Sequence, residues 1–525
     1  MKVLLVSTQS AYRTVLEIVK ELAQDYVIDV YPSKAVVAQF TTCEELAEEL
    51  RARLGMCSYD YVIIPGLVRG SAKVIEEAIG CRVYKGSKYA GDIPQVLKLL
   101  SEGVELSKEV PADELYASVF TSSLQQLYHS QVSSKKPYFE VGGVGVYLDP
   151  PPLRLLLEVL ISTKGFEEKI SRAIESGFDG VVIGCESKCD VALLSKYLDR
   201  ARELFSEGII GVDVARPAEL PRDIVESVDL LFNVAHTDVD RLSRSMSSSS
   251  GVVVIPSTVE NLEESLRSVK RAISMLNEVG ITKVVVDPLL RPPGAGFTES
   301  LIRFYTSRTQ ISYPHLFGTA NVYEMIDADS HGVIALLMSM AMELSASMVL
   351  ATEESTKTCG AIEEHAIARH MAYVSYLKKS PPKDIPGGLD LLVVKSKGLK
   401  AQHLPAFGGP TKAVSTVELQ QDPKYYVKIY VDLTRREIVV DVMRAGSEEL
   451  LARFVGSSPT SLARAIVKEF DLSTEHAAYL GYELGKAELA LKLWREYEQD
   501  SEVLLTPREK LSSSKSSLLL SRKKA

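Results

Sequence analysis

Three short polar side chains each close an apolar run. Asp213 ends Ile209-Ile210-Gly211-Val212, Asn233 ends Val228-Asp229-Leu230-Leu231-Phe232, and Asp287 ends Val284-Val285-Val286. A carboxylate accepts hydrogen bonds from ring N–H and exocyclic amino groups, and an amide both donates and accepts. Two carboxylates and one amide brought to one place would suit a flat, nitrogen-rich ring.

The elements that must position them read as alternating strands and helices between residues 138 and 380. Eight candidate strands run Val141–Leu148, Gly180–Gly184, Gly208–Asp213, Asp229–Asn233, Val252–Pro256, Lys283–Asp287, His315–Gly318 and Met348–Thr352. Helical patterning covers Leu153–Ser176, Val191–Ser206, Val259–Val279 and Gly332–Leu344. Eight such units in about 240 residues are the size of a (β/α)8 barrel, whose active site sits at the carboxyl-terminal mouth. Asp149, Glu186, Asn321, Glu353 and Glu354 also follow strand ends in this reading, although a single polar residue there can simply cap a helix.

The bulk numbers frame the rest. At 525 residues the chain is too long for one ordinary core. It is 46% hydrophobic and 25% charged, which fits a globular protein and argues against general disorder. A formal net charge of −9 argues against broad nucleic-acid binding. No run approaches the ~20 apolar residues of a membrane helix. The opening MKVLLVSTQSAYRTVLEIV reads as a first strand and helix, not a signal peptide. Six scattered cysteines (43, 57, 81, 185, 189 and 359) predict reduced thiols in a cytoplasm.

Residues 1–134 read as an open, Rossmann-like α/β domain. Its strand ends, with Ser7-Thr8, Pro65-Gly66 and Lys85-Gly86, could line a crevice at the carboxyl edge of the sheet. No G-x-G-x-x-G or Walker sequence is present. Residues 385–503 read as a small α+β domain, with a hairpin made by Tyr425–Asp432 and Glu437–Val442 and a helical ending at Thr474–Glu498. Residues 504–525 read as a flexible tail.

Other chemistry-bearing groups are weaker. Cys185 and Cys189 lack the second pair a zinc site normally needs, so no metal-ligand set is read. His236 and Asp238 fit either a base with its orienter or a structural role. His365 and His370 are five apart and point differently on a helix. His476, Tyr479 and Glu483 share one helix face and fit either a ligand contact or packing on the hairpin. Phe407-Gly408-Gly409-Pro410-Thr411-Lys412 is a weak phosphate-loop candidate.

The stretches GVDVARPAEL…LLFNV and VVVDPLLRPPGAGF resemble the pterin-binding barrel shared by dihydropteroate synthases and methyltetrahydropterin:corrinoid methyltransferases. Gly180–Ser187, GVVIGCES, resembles the synthases' second-strand D-I-G-x-E-S signature. With Glu475-His476-Ala477-Ala478-Tyr479-Leu480-Gly481-Tyr482-Glu483-Leu484 in its last domain, nearly the full chain resembles archaeal dihydropteroate synthase-related proteins. The resemblance implies that Asp213, Asn233 and Asp287 hold the pterin. Asp287 would take the 2-amino group and N3–H as a fork, Asn233 another ring edge, and Asp213 the N1/N8 side.

The chain departs from the synthases where they handle diphosphate. Their N-x-T-P-D-S-F loop, Ser-Arg-Lys and Arg-x-His are replaced by Gly145-Val146-Tyr147-Leu148-Asp149-Pro150, Thr319-Ala320-Asn321-Val322 and Ala351-Thr352-Glu353. Arg216, Arg291 and Lys357 are the candidate phosphate-binding substitutes, with Mg²⁺ as a possible cofactor. Gly318-Thr319-Ala320-Asn321 instead resembles the methyltransferases' G-x-S-N, which makes Asn321 a catalytic candidate beside Asp213. No D-x-H-x-x-G corrinoid-binding motif is present, so that chemistry would need a corrinoid protein partner. The expected activity is condensation of a dihydropterin diphosphate with an arylamine on a folate or methanopterin route. The alternatives are methyl transfer and a non-catalytic pterin scaffold. A homo-oligomer with no nucleic-acid or membrane partner is expected.

Overall fold

Four parallel strands open the chain: β1 (Lys2–Ser7), β2 (Val27–Pro32), β3 (Tyr61–Ile64) and β4 (Arg82–Lys85), in the order β2-β1-β3-β4. This computed structural model describes residues 1–22, 25–55, 57–185, 189–246, 249–385, 389–396, 414, 422–505 and 507. It divides into two compact units, Met1–Lys397 and Gly398–Ala525. β1, β3 and β4 bury both faces under helices, as near-continuous apolar runs require, while the edge strand β2 stays partly exposed. At the carboxyl edge, Gly86 N–H donates to Ile64 O (2.8 Å) and Gly66 N–H to Ser87 O (3.0 Å). Backbone closes that part of the expected crevice.

This sheet is pinned to the barrel that follows. Lys378, in the helix Ala361–Lys378, pairs with Asp92 at 3.0 Å, both buried. Breaking one partner of such a pair leaves an uncompensated buried charge, at a cost of about 3–5 kcal/mol.

Next comes a tight hairpin, β5 (Phe139–Val141) and β6 (Val144–Val146). Gly142 and Gly143 both take positive φ, as a two-residue primed turn demands. A Cβ on Gly142 would also lie 2.9 Å from Asp229 Oδ2.

Eight parallel strands then form one sheet: β7 (Arg154–Leu160), β8 (Gly180–Gly184), β9 (Ile209–Asp213), β10 (Leu230–Val234), β11 (Gly251–Val254), β12 (Val284–Val286), β13 (Leu316–Gly318) and β14 (Met348–Thr352). Val286 bridges His315, the residue before β13, and so closes the sheet into a barrel. Side chains alternate between two layers. Leu155, Leu157, Val181, Ile183, Val212 and Leu231 pack outward against the helices. Leu156, Val182, Ile209, Leu230, Val253, Val285, Leu316 and Met348 pack inward, and Val141 and Val146 of the hairpin plug them from below. Full burial of each such aliphatic side chain contributes about 1.5–3 kcal/mol.

The first barrel strand corrects the sequence reading. Val141–Leu148 was expected to be strand one and Leu153–Ser176 a helix; instead the first strand is β7, followed by a helix over Phe166–Glu175. Asp149 therefore precedes the first strand and lies away from the mouth. Its carboxylate accepts from Arg308. The thiol expectation is corrected too: Cys57 is joined to Cys81 and Cys185 to Cys189 as disulfides, leaving Cys43 and Cys359 free.

The second unit is an antiparallel sheet of β15 (Tyr425–Asp432), β16 (Glu437–Arg444) and β17 (Leu450–Gly456), covered by helices Pro459–Phe470 and Thr474–Lys492. Residues 407–412 and 508–525 lie outside the described residues.

Candidate functional site at the barrel mouth

Asp213 and Asn233 meet. Asn233 Nδ2 donates to Asp213 Oδ1 at 2.5 Å and lies 3.3 Å from Val214 O. Simple alternation would not aim Asn233 there, because Leu231 faces out and Phe232 faces in. The pairing of β10 with β11 shifts between Leu231 and Val234, so β10 carries one extra residue, and Asn233 takes φ +60°. A bulge of this kind re-aims a side chain, and Asn tolerates the left-handed region better than most residues.

Asp287 follows β12 and is buried, 8% exposed. Its Oδ1 accepts from Leu289 N–H at 2.8 Å. Burial pushes this carboxyl up to about 7, the negative charge of Asp213 adds to the rise, and the Leu289 N–H and the Arg303 guanidinium oppose it. Arg303 is 3% exposed. It donates to the carbonyls of Pro288 (2.6 Å), Val259 (3.0 Å) and Leu289 (2.5 Å). One guanidinium thus holds the Asp287-Pro288-Leu289 turn in place from behind.

A third carboxyl was missed in sequence. Glu158 lies on β7 and faces inward with Leu156, while Leu155, Leu157 and Val159 face the helices. Burial raises both Glu158 and Asp213 well above the usual carboxylate range, and Asp213 raises Glu158 further. The first residue of the D-I-G-x-E-S signature falls at Val182 here, and Glu158 is the register partner of Val182 on the neighbouring strand.

The remaining expected residues are spread around the rim. Asn321 lies in a short helix after β13, Ala320–Tyr323, and donates to Leu290 O at 3.2 Å. Arg216 pairs with Glu219 (3.4 Å), Arg291 with Glu260 (3.2 Å) and Lys357 with Asp327 (3.2 Å). All three sit in loops that follow barrel strands, but none is drawn to Asp213 or Asp287. Glu353 is occupied elsewhere by a bidentate pair with Arg172 (2.7 and 2.9 Å), and Glu354 by Lys169 (3.5 Å) and Thr163 (2.5 Å). Glu186 and Ser187 lie outside the described residues.

The histidines settle into structure. His365 is buried between Thr319 Oγ1 (2.9 Å) and Ala361 O (2.6 Å), and burial holds it down at about 4, in the neutral form. Asp238 accepts from Ala235 N–H (2.9 Å), while His236 Nδ1 has no partner among the described residues. In the second unit Tyr497 and Lys486 both reach the buried Glu483, at 2.6 and 2.7 Å. Tyr479 bonds Asp500 at 2.8 Å. These are internal ties of that domain. Among the described residues no group of three His, Cys, Asp or Glu side chains is arranged to hold a metal ion.

A family model described as PterinBD-DUF4346 matches residues 421–500, the second unit's sheet and helices. Over 96% of its length the chain is 30% identical to the uncharacterized protein MJ0107 of Methanocaldococcus jannaschii, of which 99% is covered. The chain belongs to that family, the archaeal dihydropteroate synthase-related proteins. Its central sheet is an eight-stranded parallel barrel. The dihydropteroate synthase of Thermus thermophilus matches 44% of this chain and 96% of its own, at 17% identity and a TM-score of 0.34. The dihydropteroate synthase of Coxiella burnetii in complex with pteroic acid matches 43% of this chain and 93% of its own, at 15% identity and a TM-score of 0.34. No helix among the described residues is long and apolar enough to cross a membrane.

Proposed function

We propose that the barrel mouth binds a reduced pterin through Asp213, Asn233 and Asp287. The observation that carries this reading is the bulge in β10, which gives up backbone regularity to aim Asn233 at Asp213. Ionised Asp287 accepts the pterin N3–H and 2-amino hydrogens as a fork, a charge-assisted geometry. Asp213, held by Asn233, faces the N1/N8 edge.

The reaction favoured for this ligand is dihydropteroate synthase-like: an arylamine nitrogen attacks the pterin methylene carbon, the C–O bond breaks, and pyrophosphate leaves. Negative charge then grows on the departing oxygens and needs cations. Arg216, Arg291 and Lys357 stand on loops of this rim. Their present partners are exposed acids, and such surface pairs are worth only about 0–1 kcal/mol, so a diphosphate can recruit them. The test is turnover of dihydropterin diphosphate with 4-aminobenzoate, followed as pyrophosphate release. No release with any arylamine offered rules the reaction out.

A second reading rests on Asn321. Its amide bridges the end of β13 to the loop after β12. An amide there can hydrogen-bond pterin N5 as a methyl group leaves for a corrinoid partner. In that case Asn321→Ala slows methyl transfer far more than it weakens pterin binding.

A further inference from the structure

Glu158 is the mouth carboxyl with no role in the reading above. A Cβ on Gly184 would lie 2.7 Å from Glu158 Oε1 and 2.6 Å from Leu160 Cδ2. Gly184 pairs with Leu160 on one side and with Asp213 on the other. The Glu158 carboxyl therefore occupies the space a side chain at 184 would fill, beside the strand that carries Asp213. It accepts no hydrogen bond among the described residues, whereas Asp213 accepts from Asn233. The other charged or titratable groups that act on it are Glu354, tied to Lys169, and the buried Tyr323. Asp213 acts in turn on Asp287, which has Arg303 behind it. No cation is paired with either Glu158 or Asp213 among the described residues.

Two carboxyls that share the space beside Gly184, act on each other and are shielded from water do not both ionise readily, and a pair of this kind loses its protons in two steps with a singly protonated state between them. Such a pair shows one O–H donor and one carboxylate acceptor on the same side. The N1/N8 edge of a dihydro- or tetrahydropterin carries N1, an acceptor, and N8–H, a donor. An aromatic pterin carries two acceptors there and leaves the carboxylate facing a lone pair.

We propose that Glu158 and Asp213 act as a singly protonated carboxyl pair that reads the N1/N8–H edge and so selects reduced over aromatic pterins. This rests on the pterin-binding reading above. It makes Glu158 a specificity-determining residue and gives Gly184 a function, to leave room for it. Removal of either hydrogen-bonding partner in a buried site costs more for the matched ligand than for the mismatched one.

The test is anaerobic calorimetric titration of the full chain with 7,8-dihydropterin and with its aromatic counterpart, for wild type, Glu158→Leu and Glu158→Gln, between pH 6 and 9. Wild type is expected to prefer the reduced form by about tenfold or more, the scale of one mispaired buried polar group. Its affinity should fall on both sides of an optimum, as the pair gains a second proton or loses its only one. Glu158→Leu should lose the preference. Glu158→Gln, whose amide supplies a donor without titrating, should keep the preference and lose the alkaline fall. If wild type binds but Glu158→Leu keeps the same preference, the role of Glu158 is overturned and the pterin reading stands. If wild type binds neither pterin, both fall together.

Discussion

Asn233 reaches Asp213 Oδ1 at 2.5 Å because β10 carries one more residue than β11 between their paired positions. The bond joins two adjacent strand ends and holds the Asp213 carboxyl toward the mouth. It also needs a residue that accepts φ +60°. Two requirements, one conformational and one chemical, fall on a single position.

They can be separated by substitution. Asn233→Gly keeps the backbone and removes the amide, so stability should change by less than about 1 kcal/mol while pterin affinity falls about tenfold or more. Asn233→Val strains the left-handed turn as well and should cost about 1–2 kcal/mol of stability. Urea denaturation beside ligand titration checks both. Equal stability of the two variants would show that the turn does not select its residue.

Asp287 makes the empty protein sensitive to pH. Its carboxyl sits at about 7 in the fold against 3.8 for an ordinary Asp. A raised acid favours the protonated fold, so its stabilising contribution is complete below about 4 and is lost as pH rises through about 7. The ligand-free protein should therefore lose on the order of 2–4 kcal/mol across that window from this group. Asp287→Asn should flatten the loss. Tm measured from pH 4 to 8 for both proteins decides it, and parallel curves would contradict it.

Arg303 supports Asp287 by holding its turn. Arg303→Met leaves the carbonyls of Pro288, Leu289 and Val259 without this donor and should destabilise by about 2–4 kcal/mol. Ligand affinity should fall too, since Leu289 N–H is fixed by the same turn. A variant with native stability would show that water or another group replaces the guanidinium.

Gly184→Ala places a methyl group against Glu158 and Leu160. Overpacking of this kind costs about 1–3 kcal/mol. The expected result is that loss together with weaker ligand binding. The double variant Gly184→Ala with Glu158→Ala should recover part of the stability and none of the affinity. No recovery would place the strain on Leu160 instead.

Much of this site was legible because parallel barrel strands are buried on both faces and read as unbroken apolar runs. Gly180–Gly184, Ile209–Asp213 and Val284–Val286 stand out for that reason, and so do Asp213 and Asp287 at their ends. Arg154–Leu160 did not stand out. Its Leu-rich run flows into Phe166–Glu175, and the two together mimic one long helix, which hid Glu158. Val141–Leu148 alternates well enough to pass for a barrel strand, but Gly142-Gly143 folds it back into the plug. The bulge at Asn233 has no local signal, since an extra residue is defined only against the neighbouring strand. The disulfides were missed because scattered cysteines carry no pairing information by themselves.

The most direct measurement is calorimetric titration of the purified chain with dihydropterin diphosphate and with methyl-tetrahydropterin, beside Asp287→Ala. Binding of at least one of them by wild type, weakened about a hundredfold in the variant, is the expected result, since the fork to Asp287 supplies two charge-assisted bonds. Binding of neither, or equal binding by wild type and variant, would contradict a pterin site built on Asp213, Asn233 and Asp287.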